Sequence, residues 1–170
     1  MSSGTACPRL TIIFAFAAHR EWATGFKLTE LKDKLGRIGI RHILVHFDCC
    51  HAGGIFLDTR SVSSTELVVE RMCSAPVVQA VTAVTADEQA IEERGNGLFT
   101  RTMCDKLTSG EAFQRGQSYV TGTELFSAVC ADVMQRAHEV RGKMTPMHKN
   151  ILARHGGEQC AGEMLFFQPG

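Results

Sequence analysis

The residues with the clearest chemical content follow an apolar run. His42 to Phe47 (HILVHF) leads into Asp48, Cys49, Cys50, His51, Ala52, Gly53 and Gly54. The two glycines allow a tight backbone path and close approach of a ligand. A cysteine in such a loop can act as a nucleophile if a base or cation raises its thiolate fraction, because a free thiol has a pKa of about 8.5. His51 is adjacent in sequence, and neighbouring residues of an extended chain point to opposite sides, so it is a poor partner for Cys50. His19 is better placed, since it ends a second apolar run, Leu10 to Ala18 (LTIIFAFAA). If the two runs are adjacent parallel strands, His19 and Cys50 approach across about one strand spacing, ~4.8 Å between backbones. That is the Cys/His arrangement of a thiol hydrolase. The competing reading of Cys50 is an inert small hydrophobe at the end of a buried strand.

Other reactive side chains carry less. His42 and His46 alternate on one face and read as structural, and His138, His148 and His155 show no ligand spacing. Cys49, Cys50 and His51 are three consecutive residues, which rarely converge on one tetrahedral ion, and no CxxC pair supports a zinc site.

The elements that must position Cys50 and His19 are legible. Unbroken apolar runs suit strands buried on both faces of a parallel sheet. Between them, Leu28, Leu31, Leu35 and Ile38 form one stripe of a helix over 27–38, with Gly39 as its stop. Strand, helix, strand is the crossover that joins parallel neighbours. Further on, 61–71 reads as a short helix, 77–84 as a third strand, 95–97 as a turn, 98–107 as a helix and 110–119 as a loop. Thr121 and Glu124 fit a capping box that opens a helix with Leu125, Val129, Val133 and Ala137 inward, stopped by Gly142. Residues 164–167 (MLFF) read as a final short strand. Alternating strands and helices indicate an α/β sheet, and ligand sites of such sheets lie at the carboxyl ends of the strands.

Composition narrows the class. The chain has 170 residues, 18 Lys plus Arg against 18 Asp plus Glu, 44% hydrophobic and 21% charged residues. Disorder is excluded by the apolar content. A zero net charge offers no bulk field for a nucleic-acid partner. One domain, over 8–168, is expected at this length. The seven cysteines are an odd number. With no secretory signal and no apolar run of the ~18–20 residues that span a bilayer, they read as free thiols of a cytoplasmic protein without a membrane partner.

The loop HILVHFDCCHAGG resembles the catalytic strand and loop of caspase-like cysteine peptidases of the metacaspase type, an apolar strand followed by Asp-x-Cys-His-Ser-Gly. VTAVTADEQAIEERGNGLFTRTMCDKL is similar to the family's next strand and helix. Thr121 to Leu125, Thr145-Pro146 and Gly162 to Phe167 are similar to its closing helix, Thr-Pro and last strand. The resemblance implies a caspase-like three-layer fold, a mostly parallel sheet with helices on both faces. It implies Cys50 as nucleophile, His19 as the histidine, and Asp48 lining a pocket for a basic side chain of a protein or peptide substrate. Backbone amides at the loop of Cys50, His51 and Gly53 would face the oxyanion. It also implies calcium activation, although Asp105, Glu111 and Asp132 show no coordination pattern. Autocleavage is a further implication, with Arg60, Arg71, Arg94 and Arg101 as sites near loops.

This sequence departs from the family at four points, two of which are that Ala52 stands where serine is common and that only residues 20–26 stand for the family's loop before the next helix. The histidine stands in Phe16-Ala17-Ala18-His19-Arg20 without the flanking glycines of the family's turn, and the family's first two strands have no counterpart before Leu10. Two expectations follow. The first is a cysteine endopeptidase cleaving after Arg or Lys. The second is an inactive or fragmentary caspase-like domain serving as an interaction module, with a partner chain covering the open edge of the sheet.

Overall fold

Residues 11–16, 28–47, 72–85, 87–93, 95–113 and 117–168 are described in a computed structural model. Strand β1 (Thr11–Phe16) runs parallel to β2 (His42–Phe47), joined by helix α1 (Leu28–Arg37). Strand β3 (Val77–Thr82) lies on the other side of β2, also parallel. Every residue of β2 and β3 is buried, the polar His42, His46, Gln79 and Thr82 among them, as strands between two helical layers require.

A fourth strand was not foreseen. β7 (Met147–Asn150) closes the sheet antiparallel to β3, giving the order β1-β2-β3-β7. Its sequence, MHKN, is half-buried throughout and has neither the alternation nor the β-branched content that marks a strand. Three two-stranded ladders complete the secondary structure. β4 (Glu92–Glu93) pairs with β5 (Asn96–Gly97) across Gly95, whose φ of 81° is left-handed. β6 (Tyr119–Thr121) pairs with β10 (Leu165–Phe167), so the end of the expected 110–119 loop is a strand. β8 (Arg154–His155) pairs with β9 (Glu158–Gln159) through Gly156 and Gly157, both at positive φ, the backbone a two-residue hairpin turn needs.

Each face of the sheet carries its own core. Leu31 and Leu35 of α1 pack on Ile43, Val45, Phe47, Val78 and Ala80. On the opposite face Leu44, Val77 and Val81 meet helix α2 (Leu98–Ser109) through Leu98, Phe99 and Met103, and helix α3 (Gly122–Glu139) through Leu125, Phe126, Val129, Val133 and Ala137. The period-two alternation of the strands separates the two sets. The result is an α/β architecture with helices on both faces of a mostly parallel sheet.

The α3 termini show how local sequence sets the boundaries. Thr121 caps the helix: its hydroxyl accepts from the Glu124 amide, and its amide donates to the Glu124 carboxylate at 3.0 Å. At the other end Gly142 is not the residue that turns. Arg141 takes the left-handed conformation at φ 58°, its amide donates to His138 O, and the Gly142 amide donates to Ala137 O at 2.8 Å. This is a Schellman motif with arginine in the glycine position. Gly142 follows one step later, where an added Cβ would lie 2.6 Å from Ile91 Cδ1 and displace the end of that side chain. The expected 61–71 helix lies outside the described residues. Among those described, no helix is long and apolar enough to cross a membrane.

Candidate functional site

The carboxyl ends of β1, β2 and β3 lie side by side. Phe16 is the register partner of Phe47, and Phe47 of Thr82. Between β1 and β2 the register offset is 31 residues along the whole ladder, from Thr11–His42 to Phe16–Phe47. His19 and Cys50 are also 31 residues apart, and each stands three positions beyond the last paired residue of its strand. His19, Asp48, Cys50, His51 and Gly53 themselves lie outside the described residues, as do Arg60, Arg71 and Arg94.

Immediately before that loop, the buried His46 is fixed by α2. Its Nε2 and the Thr100 hydroxyl share a hydrogen bond of 2.9 Å, and its ring lies 5.3 Å from that of Phe99 at an angle of 56°. The strand that leads to Asp48 is therefore tied to the first turn of α2. His42, on the same face at the other end of β2, bonds Cys73 O at 3.0 Å. Burial is the main cause that holds its pKa below the usual histidine range. Both histidines are structural, as their alternation suggested.

Beyond the carboxyl end of β3 opens a cleft of about 510 Å³ lined by Thr85, Asp87, Glu88, Gln89, Gly142 and Lys143, among others. Glu88 organises it. Its buried carboxylate accepts from the Thr145 amide at 2.7 Å, the Thr145 hydroxyl at 2.8 Å and the Thr85 amide at 3.3 Å, and pairs with Lys143 Nζ at 3.2 Å. Burial alone would raise its pKa. The donors from Thr145, Thr85 and Lys143 outweigh that and hold it down at about 2. Glu88 stays ionised and pins the chain that enters β7 across the end of β3. Nothing in their sequence spacing of 57 announces the contact.

A second polar cluster sits at the amino end of α3. Gln79 on β3 donates to Glu163 Oε1 at 2.8 Å, and Thr123 donates to Glu163 Oε2 at 2.8 Å. Gly122 makes room for it: an added Cβ would meet Gln79 Oε1 at 2.9 Å and Glu163 Oε1 at 3.0 Å. His148 of β7 packs its ring 5.6 Å from Phe126 on this face, and burial pushes its pKa down against the opposing pull of Glu163.

The acidic residues weighed for calcium are otherwise engaged where the structure defines a partner. Asp105 pairs with Arg101 at 3.7 Å and Asp132 with Lys106 at 2.7 Å. Among the described residues no group of three or more His, Cys, Asp or Glu side chains converges as a metal would require. Cys104, Cys130 and Cys160 are free thiols. Compared with protein-family models and with curated proteins, the chain matches none.

Proposed function

We propose that the chain is a cysteine endopeptidase of the metacaspase type, on a caspase-like fold, that cleaves after Arg or Lys. The observation that supports it is the 31-residue register of two parallel strands, which is also the separation of His19 and Cys50 at their carboxyl ends. In this reading His19 takes the Cys50 proton and the thiolate attacks the scissile carbonyl carbon. Amides of the loop through Gly53 stabilise the oxyanion, and collapse breaks the C–N bond as His19 protonates the leaving amine. Water then hydrolyses the thioester and restores the thiol. Asp48 lines the pocket for the basic side chain, and the cleft lined by Asp87, Glu88 and Lys143 lies beyond the same end of β3. Such a thiol belongs in a reducing, cytoplasmic setting where it stays free, and calcium is an activator by resemblance.

The test is turnover of a fluorogenic peptide ending in Arg, with and without calcium, by wild type, Cys50→Ala and His19→Ala. The expected result is release abolished in Cys50→Ala and reduced by a factor on the order of 10³ in His19→Ala. Turnover equal in wild type and Cys50→Ala sinks the proposal. One observation favours the second reading, an interaction module: β1 is the outer strand of the described sheet, with one edge unpaired there. An inactive wild type that gains a β-sheet partner would select it.

A further inference from the structure

The cleft past β3 stands where ligands of a parallel sheet bind, beyond the carboxyl ends of the strands. Its volume of about 510 Å³ is in the range of ligand clefts. It is lined by the chain that leaves β3, from Thr85 to Ile91, and by Gly142 and Lys143 after α3.

Three charged side chains line it, and they are not equivalent. The buried Glu88 carboxylate is spent inside the fold on Thr85, Thr145 and Lys143. The Lys143 ammonium, 3.2 Å away, is the counter-ion of that buried charge. Asp87 is exposed, and among the described residues no Lys, Arg or His pairs with it. The lining therefore keeps an uncompensated charge, and it is negative. Ala90 and Ile91, both half-buried, add apolar surface of the kind that carries the stem of a long basic side chain.

What fills the cleft follows from the peptidase reading proposed above, and rests on it. Strands β1, β2 and β3 are neighbours in that order. The β2–β3 ladder runs one step past β3, the Ala83 amide donating to Phe47 O at 3.1 Å. In that reading His19, beyond β1, protonates the leaving amine. The peptide after the scissile bond therefore departs on the β1 side, and the acyl half lies toward β3. One strand spacing is ~4.8 Å and an extended peptide rises ~3.3 Å per residue. The cleft then meets one of the two residues that precede the cleaved Arg or Lys.

We propose that the cleft is the subsite for a second basic side chain of the substrate, one or two positions before the cleaved residue, with Asp87 as its specificity-determining residue. The guanidinium or ammonium pairs with the Asp87 carboxylate while the stem lies along Ala90 and Ile91. Glu88 does not share this role, because a second cation there would have to displace Lys143. The substrate class narrows from peptides with one basic residue to peptides with a closely spaced basic pair.

Fluorogenic peptides ending in Arg, with Arg, Ala or Glu at each of the two preceding positions, test this on the full chain. The same peptides, labelled, are bound to the Cys50→Ala protein and followed by fluorescence anisotropy, so that selectivity is also read without turnover. In wild type, kcat/KM and affinity are expected to favour Arg over Ala about fivefold at one of the positions, as an exposed ion pair gives. That preference should fade at high salt. In Asp87→Asn the ratio of Arg to Ala should fall to about one, and Asp87→Lys should turn the preference toward Glu. A wild type indifferent at both positions, or a preference that both Asp87 variants leave in place, overturns the subsite while Cys50-dependent turnover keeps the peptidase reading. Binding that depends on Asp87 without Cys50-dependent turnover overturns the peptidase reading and keeps the subsite. Peptides neither cleaved nor bound overturn both.

Discussion

The Glu88 carboxylate accepts from both the amide and the hydroxyl of Thr145, at 2.7 and 2.8 Å, and so joins the end of β3 to the chain entering β7. A buried carboxylate normally resists ionisation, and here converging donors reverse that, with a pKa held near 2 against 4.5 for the ordinary group. The sign of the linkage is that of a depressed acid. The stabilisation is complete above pH 4.5 and is lost as pH falls toward 2. Glu88→Gln is expected to cost about 3 kcal/mol at pH 7, and the difference from wild type should shrink by pH 2. Urea denaturation followed by circular dichroism at both pH values measures it. A difference that does not change with pH would contradict this account.

Two glycine substitutions are expected to act in opposite directions. At Gly162 an added Cβ would lie 2.3 Å from Ala75 O and 2.9 Å from Met72 O, backbone atoms that cannot move aside. Gly162→Ala is expected to cost at least about 3 kcal/mol. Gly36, in α1, has nothing within 4 Å of the same position, and alanine there is expected to gain about 0.5–1 kcal/mol from helix propensity. The melting temperatures of the two variants should bracket that of wild type.

The capping box of α3 should behave as a coupled pair. The Thr121 hydroxyl also donates to Glu124 Oε2 at 2.7 Å, so one carboxylate oxygen serves both the amide and the hydroxyl of the cap. Thr121→Ala is expected to cost about 1–2 kcal/mol. Adding Glu124→Ala should cost less than the sum of the two single effects, and a double-mutant cycle reads that shortfall.

What the sequence made legible is what a single local pattern encodes. The boundaries of β2, the inward stripe of α1 and the capping box at Thr121 each follow from spacing within one segment. β7 was hidden because its pairing with β3 depends on a partner, not on the pattern of MHKN. The turn at Arg141 was hidden because glycine is the residue expected in the left-handed position, and here arginine takes it one residue before Gly142. Of the site, the parallel pairing of β1 and β2 was readable. The Glu88–Thr145 contact was not, since tertiary folding alone brings two ordinary polar residues together.

The half-buried His148 should make the protein weaker in mild acid. Burial first, opposed by Glu163, lowers its pKa, so the fold favours the neutral ring. For a depressed base the contribution is full above the free value of about 6.5 and is lost as pH falls through it. His148→Phe, which keeps ring packing on Phe126, is expected to flatten part of the stability loss between pH 7.5 and 5. A variant with the unaltered pH dependence would remove His148 from the account.

Thiol reactivity separates the structural cysteines from the proposed nucleophile. Cys130 is half-buried, with its Sγ 3.5 Å from Pro146 O, and burial pushes its pKa up to about 11. At pH 8 only about one part in a thousand is thiolate, the form that reacts. Cys160 is buried and raised by the same cause. Cys104 is exposed on α2. Brief alkylation of the native protein at pH 8, mapped by mass spectrometry, should therefore modify Cys104 and leave Cys130 and Cys160 intact. Lowering the pH from 8 to 6 slows a free thiol of pKa about 8.5 roughly a hundredfold. If Cys50 is an activated nucleophile, it is the site whose alkylation persists at pH 6. Its persistence should depend on His19, so that His19→Ala brings its rate at pH 6 down to that of a free thiol. Equal pH dependence at Cys50 and Cys104 in the wild type would count against the peptidase reading while leaving the structural assignments of Cys130 and Cys160 intact.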